Sequence, residues 1–326
     1  MIRPFGPWDI LLISRLQKRG IALSLEDALI QPHRPLLAAY FSPNVYTCVL
    51  SEVEGGRRRE GFAQMREGRP VAEVVYLAPA LSADKEAPAI WRRLLAYLSA
   101  EAGRRGIQRL FARLPEDGPE VEAFQQVGFS IYAREDIFRL ARAERPSRSD
   151  RMKEFQRIIP SIKGLAMRRQ QPADEWGLQQ LYAAVTPRSV QQSEGLRCWE
   201  NRRRPRLEGY VLEEDGEIVG YLGVGRGRLG HRLRVMLHPR AHERADGLIE
   251  YGLSLLAEYH PRPIYCCVRR YQEGLRASLE AKGFQLIASQ AVLVKYIAVR
   301  ARKPAAKLVP ALEKRAGAAT TARSGG

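Results

Sequence analysis

The pattern of apolar and polar positions along the chain changes its period several times, and the same order of periods occurs twice. In the first half, residues 61–65 and 75–79 read GFAQM and VYLAP, two short apolar runs typical of buried strands. In the second half, residues 220–224 and 235–239 read GYLGV and VMLHP at closely similar separation. Each second run closes on a proline, which ends a strand because it has no N–H to donate. The match predicts an internal repeat.

A polar turn and an amphipathic helix follow each proline. The apolar positions of these helices recur at the three- and four-residue spacing of a buried helix face. They are Ile90, Trp91, Leu94, Leu95 and Leu98 in the first half and Leu248, Ile249, Leu253, Leu255, Leu256 and Tyr259 in the second. A strand from Ile107 or Pro263, a short helix ending at Gly128 or Gly283, and a last strand complete each half. We therefore predict a mixed, α+β-like α/β fold with two similar domains, each a mostly antiparallel sheet flanked by helices.

A charged segment marks the boundary between the halves. Residues 141–157 read ARAERPSRSDRMKEFQR, which is typical of a linker. The end of the chain is basic and rich in alanine, and we expect it to be disordered. The predicted division is an N-terminal domain at 1–145, a basic linker at 146–157, a C-terminal domain at 158–299 and a basic tail at 300–326.

The overall composition adds a strong positive charge to this picture. The 326 residues are 45% hydrophobic and carry a formal net charge of +17. Such a charge attracts anionic partners, so nucleic acid is a candidate partner through the basic surface and the tail. No apolar stretch approaches the roughly 20 residues needed to cross a bilayer. We expect a cytoplasmic protein with no membrane partner.

The cysteines do not indicate a metal site. Cys48, Cys198, Cys266 and Cys267 have no CxxC spacing and no histidine cluster beside them. Neither a bound metal nor a disulfide framework is therefore expected.

The order of elements, with a strand ending in L-x-P before a turn and helix and a late helix ending in Gly-Phe, resembles the GNAT superfamily of acyl-CoA-dependent N-acyltransferases. The resemblance covers nearly the whole chain, as a tandem pair. It implies that the fourth strand of each half diverges from the fifth, so that its backbone pairs with the pantetheine amides of acyl-CoA as a sheet edge pairs with an added strand. In the second half these residues are Val235, Met236 and Leu237.

In the GNAT family the next turn has the pattern Q/R-x-x-G-x-G/A, and its amides hold the pyrophosphate at the start of a helix. The second half has HERADG here, so Ala245 replaces the first glycine and Gly247 keeps the second. The resemblance implies that Ala245, Asp246 and Gly247 bind the pyrophosphate, with Arg240 and Arg244 adding charge.

The first half departs further from the pattern. Its best match is DKEAPA at residues 84–89, which keeps a small residue at Ala89 but places two carboxylates where a diphosphate would bind. We expect the second half to bind acetyl-CoA and the first half to be degenerate. The alternative is that both turns are ordinary connections.

The resemblance also suggests catalytic residues. Many GNAT enzymes use a tyrosine four residues before Gly-Phe as an acid, but Phe124 and Leu279 stand there. Tyr271, at the end of the strand from residue 263, is the nearest substitute. Glu73 resembles the glutamate that activates the amine in the histone-acetylating branch, and Leu233 is its counterpart in the second half. Both candidates have a plainer interpretation, as a surface tyrosine and a solvent-facing strand residue.

The resemblance implies an N-acyltransferase that moves an acetyl group from acetyl-CoA to a small-molecule or peptide amine. One alternative is a non-catalytic GNAT-like module that uses its basic face for binding. Another is an aminoacyl-tRNA-dependent transferase, for which no specific motif is present. The sequence leaves the acceptor and the oligomeric state open.

Overall fold

The computed structural model describes most of the chain. The described residues are 1–54, 57–141, 166–195, 207–257 and 259–298. The predicted linker at 146–157 and the predicted tail at 300–326 lie outside them, as does Cys198.

Helices and strands alternate in the predicted order in both halves. The α-helices described are α1 Ile10–Leu16, α2 Leu25–Ile30, α3 Pro35–Phe41, α4 Ala87–Arg104, α5 Pro119–Gln125, α6 Glu175–Val185, α7 Arg188–Glu194, α8 Ala245–Ala257 and α9 Gly274–Ala281. The strands are β1 Ile2–Pro4, β2 Ile21–Ala22, β3 Val45–Glu54, β4 Arg57–Gly68, β5 Val71–Ala78, β6 Arg109–Pro115, β7 Ser130–Leu140, β8 Met167–Arg169, β9 Glu208–Glu214, β10 Glu217–Arg226, β11 His231–Leu237, β12 Ile264–Arg269 and β13 Gln285–Tyr296.

The thirteen strands form one sheet. Their order is β1-β3-β4-β5-β6-β13-β7-β12-β11-β10-β9-β8, with β2 paired to β5 beside this path. Neighbouring strands are antiparallel except β5 with β6 and β11 with β12, which are parallel. These two parallel pairs occupy the same place in their halves. The predicted fold class, a mixed and mostly antiparallel sheet with helices used twice, is confirmed.

The last strand of each half lies beside the other half. β13 pairs with β6 of the first half, with Tyr296 opposite Arg109. β7 pairs with β12 of the second half, with Glu135 opposite Arg269. β7 and β13 also pair with each other at the centre of the sheet. Each half thus completes its sheet with a strand of the other half, while the boundaries assigned to the two domains stay a prediction.

The strands that lead to Pro79 and Pro239 are equivalent. β5 lies between its antiparallel partner β4 and its parallel partner β6, and β11 lies in the same way between β10 and β12. The repeat found in the sequence therefore places the same strand at the same point of each half.

The long helix of each half covers its sheet with the apolar face that the sequence predicts. In α4, Trp91, Leu94, Leu95 and Leu98 are fully buried. The indole N–H of Trp91 donates to the carbonyl of Pro79 at 2.7 Å, which ties the helix to the end of β5. In α8, the buried apolar residues include Leu248, Ile249 and Leu256. Each fully buried side chain of this kind stabilises the fold by about 1.5–3 kcal/mol.

Two further findings concern what the described residues lack. None of their helices is long and apolar enough to cross a membrane. Nor do these residues contain a group of three or more histidine, cysteine, aspartate or glutamate side chains that could hold a metal ion.

Candidate active site

The second half contains an open cleft between β11 and β12. The two strands pair only through His231, Arg232 and Leu233, opposite residues 264–266. Residues 234–237 stay paired with β10 but diverge from β12. On the side facing the cleft, residues 234–237 have no backbone hydrogen-bond partner within the described part of the chain. Their N–H and C=O groups are those of a sheet edge, which can accept an added extended chain.

The first half has the same divergence, but its edge is occupied. β5 pairs with β6 only up to Glu73. Beyond that point β2 adds to the edge of β5, with Ile21 opposite Leu77. The N–H of Leu23 also donates to the carbonyl of Val75 at 3.1 Å. The protein's own chain therefore covers the edge that corresponds to Val235–Leu237.

The difference between the halves follows from the connection after their first helix. In the first half, residues 17–24 separate α1 from α2, which is enough chain to reach β5. The Tyr76 hydroxyl donates to the carbonyl of Gln17 at 2.6 Å, and this bond fastens the connection to the strand. In the second half only Thr186 and Pro187 separate α6 from α7. This connection is too short to add a strand to β11.

The turn before α4 is occupied as well. Asp84 Oδ1 accepts a hydrogen bond from the backbone N–H of Glu86 at 2.9 Å. The Glu86 carboxylate in turn pairs with Arg59. A carboxylate thus takes an amide that a phosphate could otherwise use at this helix start.

The corresponding turn of the second half is compact. Residues Pro239–Arg244 form a 3-10 helix that leads directly into α8. The N–H of Ala245 donates to the carbonyl of His242, and both Ala245 and Gly247 are buried. Part of the backbone donors predicted to hold a pyrophosphate are therefore used inside the turn.

The two arginines of this turn point to a neighbouring hairpin. Arg244 Nε lies 3.0 Å from Glu214 Oε1, and Arg240 pairs with Glu217. Both ion pairs are at least one-third exposed, so each is weak and open to exchange with another anion.

His242 closes one side of the turn against α9. A Cβ placed on Gly274, the first residue of α9, would lie 1.8 Å from His242 Nε2. Only glycine allows the imidazole to approach the helix so closely. The predicted first position of the pyrophosphate turn thus lies against the start of α9, while the residue remains exposed.

The lining of the cleft includes residues predicted from the sequence to bind acetyl-CoA or to act in catalysis, and others that were not predicted. These residues include Val235 and Met236 of β11, Tyr271 just after β12, and Thr186 between α6 and α7. Tyr271 therefore lies in the cleft whose edge is open. Thr186 is the first of the two residues that connect α6 to α7.

A buried charge cluster forms the inner end of the cleft. Arg269 Nη2 lies 2.6 Å from Glu194, and its Nε lies 3.2 Å from Glu135. Glu194 also accepts hydrogen bonds from the hydroxyls of Tyr132 and Tyr182, each at 2.9 Å. Burial lowers the pKa of Arg269, but Glu135 and Glu194 raise it well above its ordinary value, so the guanidinium stays charged. The Glu194 carboxylate is held by three donors at a fixed place.

Glu73 belongs to the same cluster but not to the cleft. Its carboxylate pairs with Arg113, whose Nε lies 3.1 Å from Glu135 Oε1. Arg113 lines the cleft of the second half, whereas Glu73 does not. The structure thus does not bring Glu73 and Tyr271, the two predicted catalytic residues, together on one cleft surface.

Sequence reasoning missed the cluster. Glu135 stands within a strand whose neighbours Ile137 and Phe138 are fully buried, and Arg269 follows the apolar run of β12. Charged residues at such positions are rarely buried without a partner. The presence of Glu135 and Arg269 within apolar strand segments is the sequence signal that could have predicted this buried ion-pair cluster.

Known structures share this architecture. A tandem GNAT protein from the clavulanic acid biosynthesis pathway, determined without acetyl-CoA, is 16% identical, with a TM-score of 0.51 over 91% of this chain and 98% of its own. A GCN5-related N-acetyltransferase from Sphaerobacter thermophilus is 13% identical, with a TM-score of 0.53 over 91% of this chain and 95% of its own. A Drosophila protein is 10% identical, with a TM-score of 0.51 over 91% and 98%.

No family model matches the sequence, and no curated protein matches it significantly. At these identities the structural likeness establishes the fold and leaves the activity to be argued from the site. The chain has the tandem GNAT fold.

Proposed function

We propose that the chain is an acyl-CoA-dependent N-acyltransferase whose second half transfers an acetyl group from acetyl-CoA to an amine. The observation that carries this proposal is the open edge of β11 at Val235–Leu237 beside a lined cleft. The amides of pantetheine can pair with such an edge as an added strand would. The equivalent edge of β5 is filled by β2, so the proposal assigns a single acyl-CoA site to the chain.

The first half supports this site. It supplies Glu135, which neutralises Arg269, and Arg113, which lines the cleft. The strand exchange places Glu135 of β7 beside β12, and Arg113 of β6 joins it through an ion pair, so the two halves act as one catalytic unit.

The proposed reaction is direct attack on the thioester. The amine nitrogen forms a bond with the carbonyl carbon, the C–S bond breaks, and the amine loses one proton while the coenzyme A thiolate gains one. We assign the protonation of the thiolate to Tyr271, which lines the cleft. We assign Glu194, one of three carboxylates of the described residues that line the cleft, to orient the attacking amine by accepting a hydrogen bond from it; its three donors make it a weak base. Glu73 stays a prediction as the base of the first half.

Calorimetry with acetyl-CoA tests the site without knowledge of the acceptor. The wild type should bind acetyl-CoA at one site. Gly247→Val should abolish this binding because a branched side chain enters the buried start of α8. The matched variant Ala89→Val, at the corresponding place in α4, should bind as the wild type does.

Circular dichroism must show that each variant is folded. Loss of binding in the Ala89 variant alone would assign the cofactor to the first half. Failure of the folded wild type to bind at about 1 mM acetyl-CoA would contradict the acyltransferase proposal itself.

A further inference from the structure

A second and larger cavity lies where the two halves meet. Its volume is about 650 Å³, within the roughly 300–1,000 Å³ usual for small-molecule sites. α2 and α3 of the first half form one wall, and the turn between β10 and β11 forms another. The N–H of Leu229 in this turn donates to the carbonyl of Ile30 at 3.0 Å, which joins the two walls.

The charges around this cavity are unbalanced. Four arginines line it, Arg34, Arg66, Arg228 and Arg232, and among the described residues Asp27 supplies the only lining carboxylate. Asp27 is shared between Arg66 at 3.3 Å and Arg232 at 2.6 Å. Arg34 and Arg228 have no hydrogen bond or ion pair to any described residue. The lining therefore offers guanidinium groups that no carboxylate in the described part of the chain pairs with.

Within the described part of the chain, Arg232 has an unused hydrogen-bond donor inside the protein. Its side chain is only 4% exposed and pairs with Glu26 at 2.7 Å in addition to Asp27. Its Nη1 is nevertheless buried without a hydrogen-bond partner among the described residues. A buried donor of a charged group that lacks a partner costs stability, and an anion bound beside it would remove that cost.

The rest of the lining is apolar. Leu37 and Phe41 of α3 are exposed on its surface, and Ile30 and Val75 are buried beneath. A ligand with a charged end and an apolar body would meet both surfaces.

From this geometry we propose that the cavity binds a small organic anion, a carboxylate or phosphate ester with an apolar part. The site differs from the acyl-CoA cleft and goes beyond the proposed function. The pantetheine edge of the first half is covered by β2, so the cavity does not offer acyl-CoA the strand pairing that the second half offers.

Arg232 links this cavity to the cleft. It lines both, and of its two carboxylate partners Asp27 lines the cavity and Glu26 lines the cleft. An anion that binds Arg232 competes with Asp27 for the guanidinium. Occupation of the cavity is therefore coupled to the pair of Arg232 with Glu26 in the lining of the cleft.

Calorimetry without acetyl-CoA tests this site separately from the acyltransferase proposal. The probes are phenyl phosphate and phenylacetate, with the neutral benzyl alcohol as their matched control. At least one anion should bind saturably with a dissociation constant below about 1 mM, and more weakly at high salt. Tighter binding of phenyl phosphate would indicate a phosphate ester as the ligand of the cavity, and tighter binding of phenylacetate would indicate a carboxylate.

Variants assign the binding to the cavity. Arg34→Gln and Arg228→Gln should each weaken anion binding about tenfold. Each change removes a charge-assisted hydrogen bond from an exposed arginine to the bound anion. Arg92→Gln, at an exposed position of α4 outside the cavity, should leave anion binding unchanged.

Three results would overturn the proposal. If benzyl alcohol binds as tightly as the anions, binding depends on apolar contact alone. If Arg92→Gln weakens anion binding as much as Arg34→Gln does, binding depends on the general positive charge of the surface. Absence of saturable binding by both anions would remove the site.

Discussion

Arg269 and Glu135 lie directly opposite each other on β12 and β7, with Arg269 Nε 3.2 Å from Glu135 Oε2. Glu135 belongs to the first half and Arg269 to the second, and they meet because the last strands are exchanged. Glu135 also lies 3.1 Å from Arg113. One buried carboxylate thus bridges two buried guanidinium groups at the junction of the halves, and each of these also pairs with a second carboxylate, Arg113 with Glu73 and Arg269 with Glu194.

Replacement of Glu135 by glutamine should therefore destabilise the whole protein. Removal of one partner from a buried ion pair typically costs about 3–5 kcal/mol, because the remaining charge stays buried. Because Glu73 and Glu194 still pair with the two guanidinium groups, we expect less than this full cost, a loss of about 2 kcal/mol in the free energy of unfolding, measured by urea denaturation. Glu280→Gln, which removes an exposed pair with Arg276, should cost less than about 1 kcal/mol. Equal effects of the two changes would contradict the proposed role of the junction.

Arg244 and Glu214 provide a test of the pyrophosphate turn. Glu214 holds Arg244 at 3.0 Å, so a diphosphate must compete with this carboxylate. Glu214→Gln should strengthen acetyl-CoA binding about two- to fivefold, and Arg244→Gln should weaken it by a similar factor. Both effects should shrink at high salt, because the pair is exposed. Weaker binding in the Glu214 variant would mean that the pair positions the turn and does not compete with the ligand.

Tyr271→Phe separates chemistry from binding. The variant keeps the ring that lines the cleft and removes only the hydroxyl. Turnover of acetyl-CoA with an amine should fall about 100-fold, while the dissociation constant of acetyl-CoA stays unchanged. Tyr259→Phe, a change in a tyrosine that packs against Arg226, should leave both values unchanged. Full activity in the Tyr271 variant would show that another group or water protonates the thiolate.

The sequence predicted the repeat because short-range signals carry it. Leu77 and Leu237 stand two residues before a proline in both halves, and the helices that follow have clear apolar faces. The position of β5 and β11 in the sheet follows from these signals.

The strand exchange could not be predicted in this way. β7 and β13 each contain one continuous buried run, residues 135–138 and 290–294, so their patterns do not distinguish between the two neighbouring halves. The choice depends on long-range contacts such as that between Arg269 and Glu135. The pairing of β2 with the edge of β5 could not be predicted either, because β2 spans only Ile21–Ala22 and is too short to show a periodic pattern of apolar residues.

His33 should make stability depend on pH. Burial lowers the pKa of His33, and a hydrogen bond of 2.8 Å to Gln64 opposes this only in part. The unfolded chain therefore takes up the proton at a higher pH than the folded protein does. The resulting stability is complete above about pH 6.5 and is lost as the pH falls through that value toward the lower pKa of the folded state. In His33→Gln, unfolding free energies measured between pH 7.5 and 5.5 should decrease less than in the wild type, by up to about 1 kcal/mol.

The exposed His260 provides the control, since His260→Gln should follow the wild-type profile. Identical profiles for the wild type and the His33 variant would show that the folded protein protonates this imidazole as easily as the unfolded chain does.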